Sequence, residues 1–404
     1  MNNPVPLHAP QQNHRLKWER ILGVVGLALL ASAWVVGAAR AKSDLMPAVR
    51  LAMPDAEIFE RQNGTYTAWA DTTKNDLLGY VTIGMANGYG GPLTMAVATT
   101  HPNGEIIGVA IAAHKETSAW MRRVEKSGLL ESLTGKSHQD RFELGDDVDT
   151  ITGATYTSRA IAEATRAGSQ DAARLLGLPA TAPPPPKVVF GIPEIVLIVL
   201  FAVGYFAHKR GFKYQKQARW ATMIAGMVVL GFVYNQPLTL SNVNKFLLGY
   251  WPAWQTNLYW YLLIGGMLFV FTVDNKNPYC QWFCPFGATQ ECFGVIGGAR
   301  IHTAGRFHGF LKWVQRGLAW FAILLALLLL NPGITSYEIF GAFFDLVGSN
   351  LQYLLLGIIL LASMFIRRPW CNYLCPLAPV MDLYRTFRMW VKESWRSLGK
   401  KTAA

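Results

Sequence analysis

The chain has 404 residues, 51% hydrophobic and 12% aromatic, with 15% charged, against roughly 25% charged in an average soluble domain. This composition excludes a disordered chain, and five Cys are too sparse for a disulfide scaffold. A net charge of +12 fits either a nucleic-acid binder or the basic cytoplasmic side of a membrane protein, and the placement of the charges separates the two.

From the N-terminus, Arg15, Lys17 and Arg20 precede an apolar run at 21–39 that contains no ionisable residue. That run is long for the core of a signal peptide, so residues 21–41 are expected to form a retained transmembrane anchor behind a cytoplasmic tail at 1–20. Ala39-Arg40-Ala41 also loosely fits a signal-peptidase site. Residues 42–178 are mixed polar and apolar. Strands are expected at 93–99 and 106–112, joined by a hairpin turn at His101-Pro102-Asn103-Gly104. A helix over 158–176 would bury a face of Ile161, Ala164, Gly168, Ala172 and Leu175, ending at Gly177 with Pro179 beyond. The Pro-rich stretch 179–187 is a stiff spacer leading to a membrane domain at 188–390.

Further apolar runs lie at 192–207, 220–234, 258–273, 313–330 and 351–366, most approaching the ~20 residues that cross a bilayer. Lys209, Arg210, Lys213, Lys216 and Arg219 follow the first of these. Lys276, Arg300, Arg306, Lys312 and Arg316 follow the third, and Arg367, Arg368, Arg385 and Arg388 the last. Between them, 235–257 holds Lys245 alone and 331–350 no Lys or Arg. By the positive-inside rule both termini, including the basic tail 391–404, belong in the cytoplasm and 42–178 outside it. The expected fold is a polytopic α-helical membrane protein of about six transmembrane helices with an inserted extracytoplasmic α+β domain. Residues 43–186 carry 12 Lys/Arg against 17 Asp/Glu, leaving the remainder at +17. The basic character is a topology signal, with no nucleic-acid footprint.

Asp149-Thr150-Ile151-Thr152-Gly153-Ala154-Thr155 precedes the expected helix. Free N–H groups and the positive dipole end at such a place favour a phosphate, while an ordinary N-cap at Thr152 or Thr155 accounts for the same residues. The motif resembles the flavin-attachment signature of the FMN-binding domain family, whose final Thr is esterified to the FMN phosphate. The resemblance implies covalent FMN on Thr155, with Asp149, Thr152, Gly153 and Ala154 recognised by a flavin transferase outside the cytoplasm. Gly88-Tyr89-Gly90-Gly91-Pro92-Leu93 and His114-Lys115-Glu116-Thr117 are similar to the family's other landmarks, which implies Gly90, Gly91, Glu116 and Thr117 as flavin contacts. The Pro-Gly usual after the Glu-Thr pair is replaced by Ser118-Ala119.

All five cysteines fall in expected cytoplasmic loops, where disulfides are disfavoured. Pro278-Tyr279-Cys280-Gln281-Trp282-Phe283-Cys284-Pro285 and Pro369-Trp370-Cys371-Asn372-Tyr373-Leu374-Cys375-Pro376 repeat one pattern at an offset of 91 residues, as an internal duplication would. The i, i+4 spacing puts both sulfurs of a pair on one side of a helical turn. Two pairs supply four thiolates, the number that an iron–sulfur cluster or a structural zinc uses, and unligated buried Cys is the remaining reading. Cys292 has no counterpart in the second segment and is expected to be a bystander or spare ligand.

An exported flavin domain joined to paired Cys-x-x-x-Cys-Pro segments resembles the NosR/NirI family, with an ending closer to the RdhC-like layout. The resemblance implies electron transfer across a bacterial inner membrane, between an iron–sulfur site at Cys280, Cys284, Cys371 and Cys375 on the cytoplasmic face and FMN in the periplasm. Implied partners are the flavin transferase, an extracytoplasmic reductase of the nitrous oxide reductase type or its maturation factors, and a quinol or ferredoxin-like donor. Alternatives are a redox-sensing regulator or maturation factor, and a zinc-stabilised scaffold. In this topology a ~30 Å core separates the two sites, and no His lies inside an expected span to hold a relaying haem.

Overall fold

The computed structural model describes residues 11–40, 44–116, 118–149, 151, 155–179, 188–207, 212–274, 277–301, 304–333 and 337–401. After α1 (Gln11–Arg40) and the short α2 (Met46–Ala52) comes a sheet of β1 (Ile58–Gln62), β2 (Thr65–Trp69), β3 (Leu77–Asn87), β4 (Pro92–Thr100) and β5 (Ile106–Ala113). The strands form an antiparallel meander in sequence order. The hairpin at 101–104 joins β4 to β5 as expected, with Val97 opposite Val109. Then follow α3 (Ser118–Glu125) and α4 (Thr155–Leu175).

Alternation along β4 divides the sheet between two cores. Leu93, Met95 and Val97 pack with Ile161 and Ala164 of α4, whereas Ala96 and Ala98 pack with Val49 and Ala52 of α2 on the other face. Small residues let α4 lie close to β3: a Cβ on Gly84 would collide with the Ala164 carbonyl and the Gly168 amide. The Thr82 hydroxyl donates to the Gly168 carbonyl at 2.7 Å. Ile161, Ala164, Gly168 and Ala172 are buried as the periodicity predicts, but Leu175 is 53% exposed. Gly177 has φ +69°, a left-handed residue that ends the helix.

The second half is helical: α5 (Ile192–Phe206), α6 (Gln215–Ala225, continued as a π-helix over Gly226–Val233), α7 (Leu240–Leu248), α8 (Leu258–Asp274), a π-turn at Tyr279–Phe283, α9 (Pro285–Ile296), α10 (His308–Leu328), α11 (Phe340–Phe344), α12 (Asn350–Ser363), α13 (Pro369–Tyr373) and α14 (Leu377–Lys401). Among the described residues, Ile21–Arg40 of α1 and Gly305–Leu328 at α10 are long and apolar enough to cross a membrane, and α5, α8 and α12 are shorter apolar helices. At 1.5 Å per residue the 14 residues of α12 rise only about 21 Å. Of the six spans expected from hydropathy, two therefore meet the length criterion. The runs at 192–207 and 258–273 are helical almost throughout but give helices of only 15 and 17 residues, and the run at 220–234 is divided between α6 and the π-helix. α1 packs on α10 closely enough that a Cβ on Gly37 would collide with the carbonyls of Leu327 and Leu328.

Candidate functional site

A cavity of about 640 Å³ opens between the sheet domain and the helical half. Tyr89, Glu116, Trp120, Thr155 and Tyr156 line it from the sheet domain. Gln236, Glu338 and Phe340 are among the residues that close it from the helical side. Thr155 is the first residue of α4, where free N–H groups and the helix dipole favour an anion. Behind it, the Gly90 amide donates to Glu116 Oε1 at 3.0 Å, and the turn is closed by the Gly88 amide donating to the Gly91 carbonyl at 2.8 Å. Side chains are barred here, since a Cβ on Gly90 would collide with the Lys115 carbonyl. Glu116 is 3% exposed, and burial pushes its carboxyl above the usual range against the Gly90 hydrogen bond.

The two halves meet at this turn. Lys245 of α7, 4% exposed, donates from Nζ to the Tyr89 carbonyl at 2.7 Å and lies 4.3 Å from the Tyr89 ring centroid. Gln236 Nε2 donates to the Tyr156 hydroxyl at 3.3 Å, and Glu338 accepts the Leu240 amide at 2.8 Å.

The cysteine segments show their duplication in backbone detail. Cys284 N donates to the Tyr279 carbonyl at 2.8 Å, and Cys375 N to the Trp370 carbonyl at 2.8 Å. Both are i to i+5 bonds at positions 91 residues apart: the first closes the π-turn at Tyr279–Phe283, and the second follows the α-turn of α13, where the Leu374 amide also donates to the Trp370 carbonyl at 2.9 Å. Cys284 caps α9, with Pro285 at its first position, and Cys375-Pro376 precedes α14. Cys375 is within electrostatic reach of Cys371, Cys280 and Cys284, so the four expected residues gather at one place. Among the described residues, no group of three or more His, Cys, Asp or Glu is close enough to grip a single metal ion. Asn277 Nδ2 donates to Cys280 Sγ at 3.1 Å and Gln290 Nε2 to Cys371 Sγ at 3.2 Å. Among the described residues, the charge that bears on Cys292 is Glu291, and the four motif cysteines do not figure among its electrostatic partners.

The aromatic residues of these segments are buried. Tyr279, Trp282, Phe283 and Trp370 are all at most 2% exposed. A Cβ on Gly226, in the middle of the α6 rod, would collide with the Phe283 carbonyl. Phe340, a wall of the cavity, lies 6.2 Å from the Trp370 ring and 5.3 Å from the Phe286 ring. The Tyr279 hydroxyl accepts the Leu238 amide at 2.7 Å, beside Pro237 of the cavity wall. Ring contacts thus run from the cavity wall at Phe340 to Trp370 and Phe286 at the cysteine segments.

Of the flavin residues expected, Glu116 and Thr155 line the cavity, and Gly90 and Gly91 shape the turn behind it. Asp149 is exposed and outside the lining. Thr117, Thr152, Gly153 and Ala154 lie outside the described residues. Tyr89 sits within the Gly-rich landmark but is not singled out by it, and Tyr156, Gln236, Glu338 and Phe340 carry no motif of their own. The one available signal was Lys245, the lone cation of its loop.

Residues 88–170 match the FMN-binding domain family, and residues 256–303 and 351–395 match a 4Fe-4S binding domain in two parts. The chain is 29% identical over 118 residues to a component of the proton-translocating ferredoxin:NAD(+) oxidoreductase complex of Clostridium ljungdahlii, covering 28% of this chain and 63% of that protein. It is 30% identical over 139 residues to the putative electron transport protein YccM of Escherichia coli K12, 30% of this chain and 38% of that one. Protein NirI of Paracoccus denitrificans is 27% identical over 183 residues, 40% of this chain and 26% of NirI. The chain spans less than two thirds of each relative's length. The residues present fit both groups: a cavity walled by rings with a hydroxyl at a helix N-terminus suits a flavin phosphate, and four gathered thiols with side-chain N–H donors suit a cluster. An FMN-binding domain and a 4Fe-4S binding domain thus lie in one polypeptide that is similar, over part of its length, to NirI.

Proposed function

We propose that this protein carries electrons between an iron–sulfur cluster on Cys280, Cys284, Cys371 and Cys375 and FMN esterified to Thr155, in a bacterial inner membrane. The flavin domain is periplasmic, both termini are cytoplasmic, α1 is a retained anchor, and the apolar helices form a multi-pass bundle. The recipient is an extracytoplasmic reductase, of the nitrous oxide reductase type. When bound, FMN supplies one- and two-electron chemistry and the cluster one-electron chemistry. Around them the chain's own residues orient, exclude water and donate hydrogen bonds.

The observation that carries this reading is Phe340, which walls the cavity at Thr155 and packs against the ring next to Cys371. Support for the membrane placement comes from the apolar exterior: Ile195, Val199, Phe269, Leu354, Ile358 and Leu361 are all exposed, which a bilayer would cover.

The test is purification of the full chain from a host that has a flavin transferase. Flavin fluorescence is read in a denaturing gel, and iron and sulfide are assayed. Thr155→Ala is expected to abolish the fluorescent band, and Cys280→Ser with Cys371→Ser to abolish iron. A band that survives Thr155→Ala would sink the attachment, and zinc without iron in the wild type would sink the cluster.

A further inference from the structure

The two cysteine segments differ at the residue three places before their first Cys: Asn277 in the first and Arg368 in the second. Asn277 serves its own segment, binding the Cys280 sulfur and accepting the Cys280 amide at 3.1 Å. Arg368 instead crosses to the other segment. Its Nη1 donates to the Cys280 carbonyl at 2.7 Å, and its Nε pairs with Glu291 Oε1 at 2.7 Å. The guanidinium and Cys284 flank one glycine, a Cβ on Gly287 lying 3.5 Å from Cys284 Cβ and 3.6 Å from Arg368 Nη1. The Arg368 backbone is left-handed, φ 50° and ψ 57°, a region that non-glycine residues occupy rarely and at a cost. Glu291 also pairs with Arg219, whose Nε donates to the Gln281 carbonyl at 3.2 Å. Two guanidiniums thus share one carboxylate beside the first segment, while Glu338 bears on Cys375 from another side of the site.

A four-thiolate cluster is an anion whose negative charge grows by one with each electron it accepts. In a poorly hydrated interior the field of a nearby cation reaches it with little screening and favours the more negative form. We propose that Arg368 is a positioning residue of the cysteine site that ties the second segment to the first and raises the site's reduction potential, with Glu291 opposing it. The inference rests on the cluster reading above.

The experiment is an EPR-monitored redox titration of the flavin-loaded full chain in detergent, one electron entering per cluster from dithionite, with iron content measured alongside. Arg368→Leu is expected to move the midpoint to lower potential, Glu291→Gln to higher potential, and Arg368→Lys to stay near the wild type. Opposite shifts from the two charge removals are what a purely structural role would not produce. Shifts in one direction, or unchanged midpoints with full iron, overturn the proposal. If Arg368→Leu loses iron, Glu291→Gln decides: an upward shift supports the proposal and no shift overturns it. No iron in the wild type overturns the cluster reading and this inference with it.

Discussion

Replacing Lys245 by Met at the seam between the two halves tests how the cavity is closed. Burial pushes the Lys245 ammonium from 10.5 down to about 8, with the Glu116 charge acting in the opposite direction. Opening the seam returns Lys245 to water and to its ordinary value. Between about pH 8 and pH 10.5 the open form holds a proton that the closed form has released, so closure strengthens as pH rises through that window. Over the whole window the gain is roughly 3 kcal/mol, at about 1.4 kcal/mol per unit. Below it both forms are protonated and the closed form carries the full burial penalty. Lys245→Met removes that penalty and leaves the Tyr89 carbonyl without its donor, a loss of about 1–3 kcal/mol. Near neutral pH the two effects oppose each other, and variant and wild type are expected within about 2 kcal/mol of each other. The assay is thermal unfolding of the full chain in detergent from about pH 7 to about pH 10. The wild-type Tm is expected to climb relative to the variant above pH 8. Parallel curves would refute the reasoning, because they would mean that Lys245 does not titrate at a buried seam.

Gly84→Val drives a side chain into the α4 backbone at Ala164 and Gly168 and is expected to cost a few kcal/mol, on the order of other overpacked core sites, read as a lower Tm. Little change would mean that α4 can lift from β3. Gln290→Met removes the acceptor of the Trp370 amide at 2.9 Å and the donor to Cys371 Sγ at 3.2 Å. About 1–3 kcal/mol of lost stability is expected, with less iron retained through gel filtration; full iron retention at unchanged stability counts against it. Phe340→Leu keeps an apolar side chain but removes the shared ring, and is expected to slow electron exchange between the sites while flavin and iron contents stay at wild-type levels. An unchanged rate would place the path elsewhere.

Much of the chemistry was legible in the sequence because it is local. The Asp149–Thr155 signature and the duplicated Cys-x-x-x-Cys-Pro segments are short and spaced by backbone geometry, and β4, β5 and most of α4 follow from alternation and helical spacing. β1 to β3 escaped because Gly79, Gly84 and scattered polar residues blur their alternation. Leu175 was misread because periodicity continues past the edge of the sheet that buries it. The proximity of the cysteine site to the cavity was illegible for a different reason. It depends on Tyr279, Phe340 and Trp370, which come together from separate segments only when the bundle folds, and each looks like an ordinary membrane aromatic in isolation. Lys245 was visible as a lone cation, yet its partner at Tyr89 lies 156 residues away.

Exchange of electrons between the two redox sites of one chain is measured most directly by a photoreductant flash. The flash delivers a single electron to purified, flavin-loaded full-length protein, and the flavin and iron–sulfur absorbances are followed separately. Redistribution between the two signals at a first-order rate independent of protein concentration is expected, and its loss in Thr155→Ala. A rate that rises with protein concentration, or two signals that never exchange, would contradict it.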